Sequence, residues 1–242
     1  MNRRPGGRGP ILPYRPLAGV IPCPGGWLVA SGKLQGVTLA PEEPTLHPTL
    51  IDVLDYKPAF EIIALAAPVG LLDAYRPGGR TCEQQARRLL GPRRGAAITS
   101  APARGPLAEQ AGGAAQIPGL SAVSRLRLPR IRETVSEIQP YWQRTVYEVH
   151  PELSFYQLNE DTPLRWSKHR PAGREERRLL LETRFAGVDR VLDAHVGRVR
   201  PFHLLDAAAC LWTARRIAAR AVQRIPEDPE WDSEGLRMEF VR

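Results

Sequence analysis

The stretch LAGVIPCPGGWLVASGK, from Leu17 to Lys33, contains two apolar runs separated by the turn-forming sequence PCPGG. Short apolar and β-branched runs on either side of a Pro-Gly segment predict two neighbouring strands of a sheet. A further short run of the same kind continues to Ala40, so the chain is predicted to open with a β-meander. The first strand ends on Ile21 and Pro22, where a fold that handles metal and phosphate would be expected to carry an acid.

Two more strands are predicted downstream. EIIALAAPVGLL, residues 61–72, is an apolar run interrupted by Pro68 and Gly70, which indicates a buried strand that ends in a loop. RTVYEVH, residues 144–150, alternates as a strand does, and Pro151 is typical of the first turn of a helix. Further helices are predicted over residues 47–57, 79–90, 126–138, 175–185 and 204–224, with a terminal strand over 236–241. This order predicts an α/β fold with a mixed sheet.

The charge balance makes nucleic acid a candidate partner. The 242 residues contain 34 Lys and Arg against 26 Asp and Glu, and only Lys33, Lys57 and Lys168 are lysines. A GC-rich coding bias is a simple cause of the preference for Arg, but it does not explain the net charge of +8. Such an excess raises the local concentration of polyanions around a protein.

Cysteine spacing and hydropathy predict a soluble cytoplasmic protein with no membrane partner. Cys23, Cys82 and Cys210 form no C-x-x-C pair, which argues against a disulfide framework and against a thiolate zinc site. The longest apolar run is too short to span a bilayer, and no apolar run follows the first arginines as it would in a signal peptide. Residues 1–16 are rich in Arg, Pro and Gly and predict a disordered basic tail.

The segment YEVHPELSF, residues 147–155, carries the clearest candidate site residues. Glu148 and His150 lie at the end of a predicted strand, and Glu152 lies at the start of the next helix. This arrangement puts two carboxylates and an imidazole near one strand terminus, where α/β folds place their sites. The alternative is a solvated strand end, with Glu152 stabilised by the positive end of the helix dipole.

A second candidate pair lies on the long C-terminal helix. His203 and Asp206 are three residues apart and therefore share a helix face. Asp206 stands among alanines in an apolar helix, and a buried carboxylate is costly unless it has a partner. The alternative is again an acid near a helix N-terminus that the dipole stabilises.

Seven segments of the chain carry a resemblance. They are GV..CPGGW at residues 19–27, IALAAPVGL at 63–71, AR..LG at 86–91, YEVHPELSFYQLN at 147–159, SK....GREER at 167–177, LDAAACLWTARRIA at 205–218 and GLRMEFV at 235–241. In this order they resemble the motifs of domain-of-unknown-function family 429, regarded as predicted nucleases of ribonuclease H-like fold. The resemblance implies a single ribonuclease H-like domain over residues 17–242, with a mixed sheet flanked by helices.

The resemblance also implies a metal-dependent phosphodiesterase, in which acids at strand ends and on the last helix hold two divalent cations. The family's acid in the first strand falls on Ile21, and its acid at the end of the central strand falls on Ala66. Neither side chain can ligate a cation. The family's Asp-Asp pair before the last helix falls on Phe202 and His203.

Three acids of the family's set remain. The candidate metal ligands are Glu148, Glu152 and Asp206. The candidate catalytic residues are Glu148, Asp206 and His203, with His150 beside them. We expect Glu148 and Asp206 to lie within reach of one another at the carboxyl edge of the sheet, with Ile21 and Ala66 lining the same cavity.

These observations leave three functions open. The first is a catalytically degenerate family member that keeps the scaffold and binds nucleic acid or a protein partner. The second is an active nuclease that uses Glu148, Asp206 and His203 with Mg²⁺ or Mn²⁺ as cofactor, whereas a degenerate protein would need no cofactor. The third is a protein-interaction scaffold whose basic surface is only compositional. No pattern in the sequence indicates which residues bind nucleic acid, or an oligomeric state.

Overall fold

A computed structural model of the chain describes residues 13–108, 117, 119 and 121–242. Most of the predicted basic tail, residues 1–12, lies outside the described residues. The first strand begins at Arg15, two residues before the predicted start of the domain. Among the described residues no helix combines the length and the apolar character that crossing a membrane requires.

The main sheet is mixed, as predicted. Its order is β3-β2-β1-β5-β6, with β4 also paired to β2. The pairs β1–β5 and β5–β6 are parallel, and β2 pairs antiparallel with β1, β3 and β4. The strands are β1 Arg15–Cys23, β2 Gly26–Gln35, β3 Thr38–Pro41, β4 Thr45–His47, β5 Ile62–Leu65 and β6 Val146–Glu148. The four strands predicted to share one sheet all lie in it.

Helices flank this sheet, which confirms the α/β fold. They are α1 Leu50–Leu54, α2 Thr81–Arg94, α3 Arg104–Ala108, α4 Ala122–Glu137, α5 Pro151–Leu158, α6 Pro171–Arg184, α7 Asp189–Leu192 and α8 Pro201–Ala218. Alternate residues of β1 enter two different cores, because successive strand side chains point to opposite faces. Leu17 packs in the core that contains α8, whereas Ala18 packs in the core that contains α1.

Helix α8 lies directly on β1. A Cβ atom added to Gly19 would stand 2.1 Å from the backbone nitrogen of Leu211 and 2.4 Å from the carbonyl oxygen of Ala207. Ala207, Ala208 and Ala209 are fully buried, so small side chains on the helix complete the close approach. This contact fixes the first turns of α8, including Asp206, against the sheet.

Two predicted elements near the C-terminus differ from the structure. The helix predicted over 204–224 ends at Ala218, and Arg220 adopts a left-handed backbone conformation with φ of 56°. Residues Arg224–Trp231 instead form strand β7. The predicted terminal strand is present as β8, Arg237–Val241, but it pairs antiparallel with β7 in a separate sheet and does not join the main one.

The parallel register of β1, β5 and β6 brings their carboxyl ends to one edge of the main sheet. The chain leaves β5 at Leu65 and β6 at Glu148, and Leu65 pairs with Glu148 in the register of the two strands. Val20 of β1 pairs with Leu65 on the other side of β5. The segments that follow these strands therefore meet at this edge, which is where open α/β sheets place their sites.

Candidate functional site

A cleft of about 530 Å³, including its open mouth, lies at the carboxyl ends of β1, β5 and β6. Pro22 of β1, Ala66 to Pro68 after β5, and Val149 with His150 after β6 line it. Residues 99–101 and the α4 residues Arg127 and Arg130 complete the walls. This edge of the sheet therefore carries a concavity with polar and apolar walls, and of the predicted site residues Glu148, His150 and Ala66 line it.

Glu148 lines this cleft but is held by an arginine. Its Oε1 accepts a hydrogen bond from Arg80 Nη2 at 2.6 Å, and its Oε2 accepts from Arg80 Nη1 and from the backbone N–H of Val69, both at 2.8 Å. Both side chains are about 3% exposed. Burial raises the pKa of Glu148, and the charge and hydrogen bonds of Arg80 oppose that rise. Both carboxylate oxygens are occupied.

Glu152 is neutralised in the same way at the start of α5. Its Oε1 accepts from Arg177 Nη2 at 2.7 Å, and its Oε2 lies 3.2 Å from Arg94 Nη2. The Arg177 side chain is fully buried, and its Nη1 also donates to the carbonyl oxygens of Trp166 and Gly173. A buried arginine with this many acceptors ties α6 to α5, so Glu152 serves as an internal counter-ion.

Asp206 is paired with Lys168. The lysine ammonium donates to Asp206 Oδ2, and the aspartate side chain is 6% exposed. Asp206 Oδ1 is buried and has no hydrogen-bond partner among the described residues. One oxygen of this carboxylate is therefore available to a donor or a cation.

The three acids do not fit the two-metal centre that the resemblance implies. Glu148, Glu152 and Asp206 have six carboxylate oxygens, and only Asp206 Oδ1 lacks a partner in the described part of the chain. Within that part, no three His, Cys, Asp or Glu side chains are grouped as metal ligands. Magnesium needs near-octahedral oxygen coordination. The arginines and the lysine supply the positive charge that bound metal ions would otherwise supply.

The structure separates Ile21 and Ala66, the two positions at which the resemblance implies that family acids are replaced. Ala66 lines the cleft, as predicted. Ile21 does not; it is 3% exposed and belongs to the apolar core that contains α8, while its neighbour Pro22 reaches the cleft. An acid at residue 21 would therefore enter an apolar core, where an unpaired carboxylate is costly.

A family model described as "Protein of unknown function (DUF429)" matches residues 19–231, which is most of the chain. The chain belongs to DUF429. No curated protein and no solved structure gives a significant match to it.

Two histidines of this DUF429 protein, of which His150 lines the cleft, have lowered pKa values that keep them neutral at neutral pH. His150 Nδ1 accepts from the backbone N–H of Glu152 at 3.2 Å, which leaves Nε2 as the N–H donor. Burial, with the charges of Lys168 and Arg127, holds the pKa of His150 well below its ordinary value. Burial and the same two cations lower the pKa of His203 to about 4.

These lowered pKa values predict that acid destabilises the protein below about pH 6.5, the ordinary pKa of histidine. As the pH falls from about 6.5 towards 4, the unfolded chain binds protons at His150 and His203 that the folded chain does not bind, so the free energy of unfolding falls. His150→Asn keeps a side-chain cap for α5 and is expected to make this pH dependence shallower. Urea unfolding at several pH values measures the free energy of unfolding of both proteins. If this free energy changed equally steeply with pH in the native protein and in His150→Asn, His150 would not be a source of the pH dependence.

Arg127 is the cleft cation without a carboxylate partner among the described residues. Solvent reaches its side chain, but the surrounding protein displaces part of its hydration and lowers its pKa, while the charge of Asp206 acts in the opposite direction. Arg130, by contrast, pairs with Glu133 at 2.8 Å.

The three acids were predicted from the sequence, but the cations that hold them were not. Arg80, Arg94, Lys168 and Arg177 come from segments 25 to 68 residues away from their partners. Two weak signals were present. Lys168 is one of three lysines, and Lys168 and Arg177 both lie within the SK....GREER segment.

Proposed function

We propose that this chain is a ribonuclease H-like, catalytically degenerate member of DUF429 that binds nucleic acid at the cleft and does not hydrolyse it with metal ions. One observation carries the proposal: Glu148, Glu152 and Asp206 are each paired with an arginine or lysine instead of converging on a shared centre. To bind a metal ion, such a carboxylate would first have to give up its arginine or lysine partner. The free energy lost with that partner would offset most of the free energy of metal binding.

The free cation of the cleft supports an anionic ligand. Arg80 pairs inside the wall with two carboxylates, those of Glu83 and Glu148, so it offers no free positive charge. Arg127 adds a cation that reaches solvent and has no acid within ion-pair distance among the described residues. His150, neutral with Nε2 as its N–H, offers a further donor at the same wall. A phosphate needs a cation and hydrogen-bond donors of this kind.

The proposal predicts binding without cleavage. Purified protein is expected to bind a labelled mixed-sequence oligonucleotide with an affinity that falls as salt rises, and to leave it intact in Mg²⁺ or Mn²⁺. Arg127→Gln is expected to lower the slope of log affinity against log salt by about 0.7 to 0.9, the value for one phosphate contact. Arg88→Gln is the matched control, because Arg88 is also exposed and has no ion pair in the described part of the chain but lies outside the cleft.

Two results of the same assay would replace the proposal. Metal-dependent cleavage that disappears in Asp206→Asn would establish the active nuclease; the observation that favours this second candidate is the unpartnered Oδ1 of Asp206. Absence of any salt-dependent binding to DNA or RNA would leave the protein-interaction scaffold as the function.

A further inference from the structure

The loop between α5 and α6 presents a cationic and aromatic surface beside the cleft. Its two acids, Glu160 and Asp161, pair with Arg184 and Arg242. Residues 162–174, which include the start of α6, contain no Asp or Glu, and they include Arg165, Lys168, Arg170 and Arg174. Arg165, Arg170 and Arg174 make no ion pair among the described residues, which leaves their charge uncompensated. We call the side chains Arg165, Trp166, Lys168, His169, Arg170 and Phe202 the loop strip.

Aromatic rings alternate with these cations along the loop strip. The Arg165 and Arg170 guanidinium groups lie 4.9 Å and 6.0 Å from the centroid of the half-buried Trp166 ring. The Lys168 ammonium lies 5.7 Å from the Phe202 ring, which His169 contacts edge-on at 5.1 Å. Nucleic-acid bases stack on aromatic rings and on arginine planes, while the cations neutralise phosphates.

The backbone beneath the loop strip is held in place from several directions. Glu176 accepts hydrogen bonds from the backbone N–H groups of Arg165 at 2.8 Å and Trp166 at 3.0 Å. Arg177 donates to the carbonyl oxygen of Trp166 at 3.0 Å. At Gly173 a Cβ atom would stand 2.0 Å from the carbonyl oxygen of Ser167, so α6 packs tightly against the loop. The rings are therefore positioned before any ligand arrives.

The loop strip acts electrostatically on the cleft. Lys168 pairs with Asp206, and its charge lowers the pKa of His150 in the cleft wall as well as that of His203. Arg127 of the cleft acts on the same two histidines. Cations of the strip and of the cleft therefore add to one positive field around these histidines.

We propose that the loop strip binds single-stranded nucleic acid, with bases stacked on Trp166 and Phe202 and phosphates at Arg165 and Arg170. The inference rests on the proposed nucleic-acid function and specifies its substrate class and its surface. Exposed bases are needed for stacking, which a duplex does not offer, so a single strand is favoured over a double helix.

The test measures binding of a labelled oligo-dT and of a duplex of equal length by fluorescence anisotropy across a salt series. Trp166→Leu is expected to weaken single-strand binding about tenfold, because one stacked base is lost, and to leave the salt slope unchanged. Arg165→Gln with Arg170→Gln is expected to lower the slope by about 1.4, from two phosphate contacts at about 0.7 each. Thermal unfolding confirms that each variant folds.

Matched controls lie elsewhere on the protein. Trp231→Leu removes a 63% exposed tryptophan that also contacts an arginine, and Arg88→Gln with Arg93→Gln removes two exposed cations of α2. Both controls are expected to bind like the native protein. If the native protein binds but the strip variants match the controls, or if the duplex binds at least as tightly, the loop-strip inference is overturned. If the native protein binds neither probe, the proposed function itself fails. If Trp166→Leu does not fold, the double variant Arg165→Gln with Arg170→Gln tests the inference in its place.

Discussion

Arg80→Met is expected to lower the free energy of unfolding by about 3 to 5 kcal/mol at neutral pH, the typical cost of removing one partner of a buried ion pair. Arg80 is 2% exposed and donates to Glu148, to Glu83 and to the carbonyl oxygen of Gly70. Without it, Glu148 keeps only the N–H of Val69 as a hydrogen-bond donor. The remaining buried negative charge is the main source of the loss.

Two comparisons separate charge from packing at this site. The double variant Arg80→Met with Glu148→Gln is expected to recover part of the stability, because one of the two orphaned charges is gone. Glu83, the other carboxylate, keeps its hydrogen bonds from the backbone N–H groups of Arg80 and Ala101. The stability deficit of the single variant relative to the native protein is expected to shrink as the pH falls, since its folded state takes up a proton at Glu148 more readily than its unfolded state does. Arg88→Met, an exposed change on the helix that follows Arg80, is expected to cost less than about 0.5 kcal/mol. A small loss in Arg80→Met, or no recovery in the double variant, would show that the pair contributes little.

Gly19→Ala is expected to destabilise the protein by about 3 kcal/mol or more, at the upper end of the cost of overpacking a core. The added methyl group would meet backbone atoms of Ala207, Cys210 and Leu211 at 2.1 to 2.7 Å. Backbone atoms cannot rotate away as side chains do, so α8 would have to move off β1. Denaturant unfolding measures the change.

Ala18→Gly is the control for Gly19→Ala, because it removes a methyl group one residue earlier, on the opposite face of the same strand. It is expected to cost about 1 kcal/mol. A Gly19→Ala protein as stable as the control would mean that α8 tolerates displacement from β1. The position of Asp206 relative to the sheet would then be less firmly fixed than the contact indicates.

The sequence predicted the main sheet because its strands are short apolar runs bounded by proline and glycine, and such boundaries are local. Strand β7 was missed because RIPEDPEW contains two prolines and three acids, which weaken a strand pattern. The helical pattern of AARAVQR extended the predicted α8, although the helix ends at Ala218. The break is made by the left-handed Arg220, which nothing in the local pattern marks.

The candidate site was predictable only in part, for a different reason. Acids at strand and helix ends can be identified one at a time, since each lies beside a recognisable boundary. Whether their carboxylates are free or ion-paired depends on which arginine or lysine side chain packs against them in the folded protein. Arg80 precedes α2 and Arg177 lies inside α6, and neither position by itself indicates that its side chain will be buried against Glu148 or Glu152. Tertiary packing therefore determines whether the acids at the carboxyl edge of the main sheet are free to bind a ligand.

The ion pairs at the strand ends also limit how this chain could acquire a metal site. Deleting Arg80 would strip Glu148 of its counter-charge before any metal ion compensated it, and an acid at residue 21 would enter the core beneath α8. Each substitution alone makes the protein less stable, and only the complete set, with metal ions bound, restores the charge balance. A metal site at this edge therefore requires several simultaneous substitutions, and the arginine pairs make each single one unfavourable.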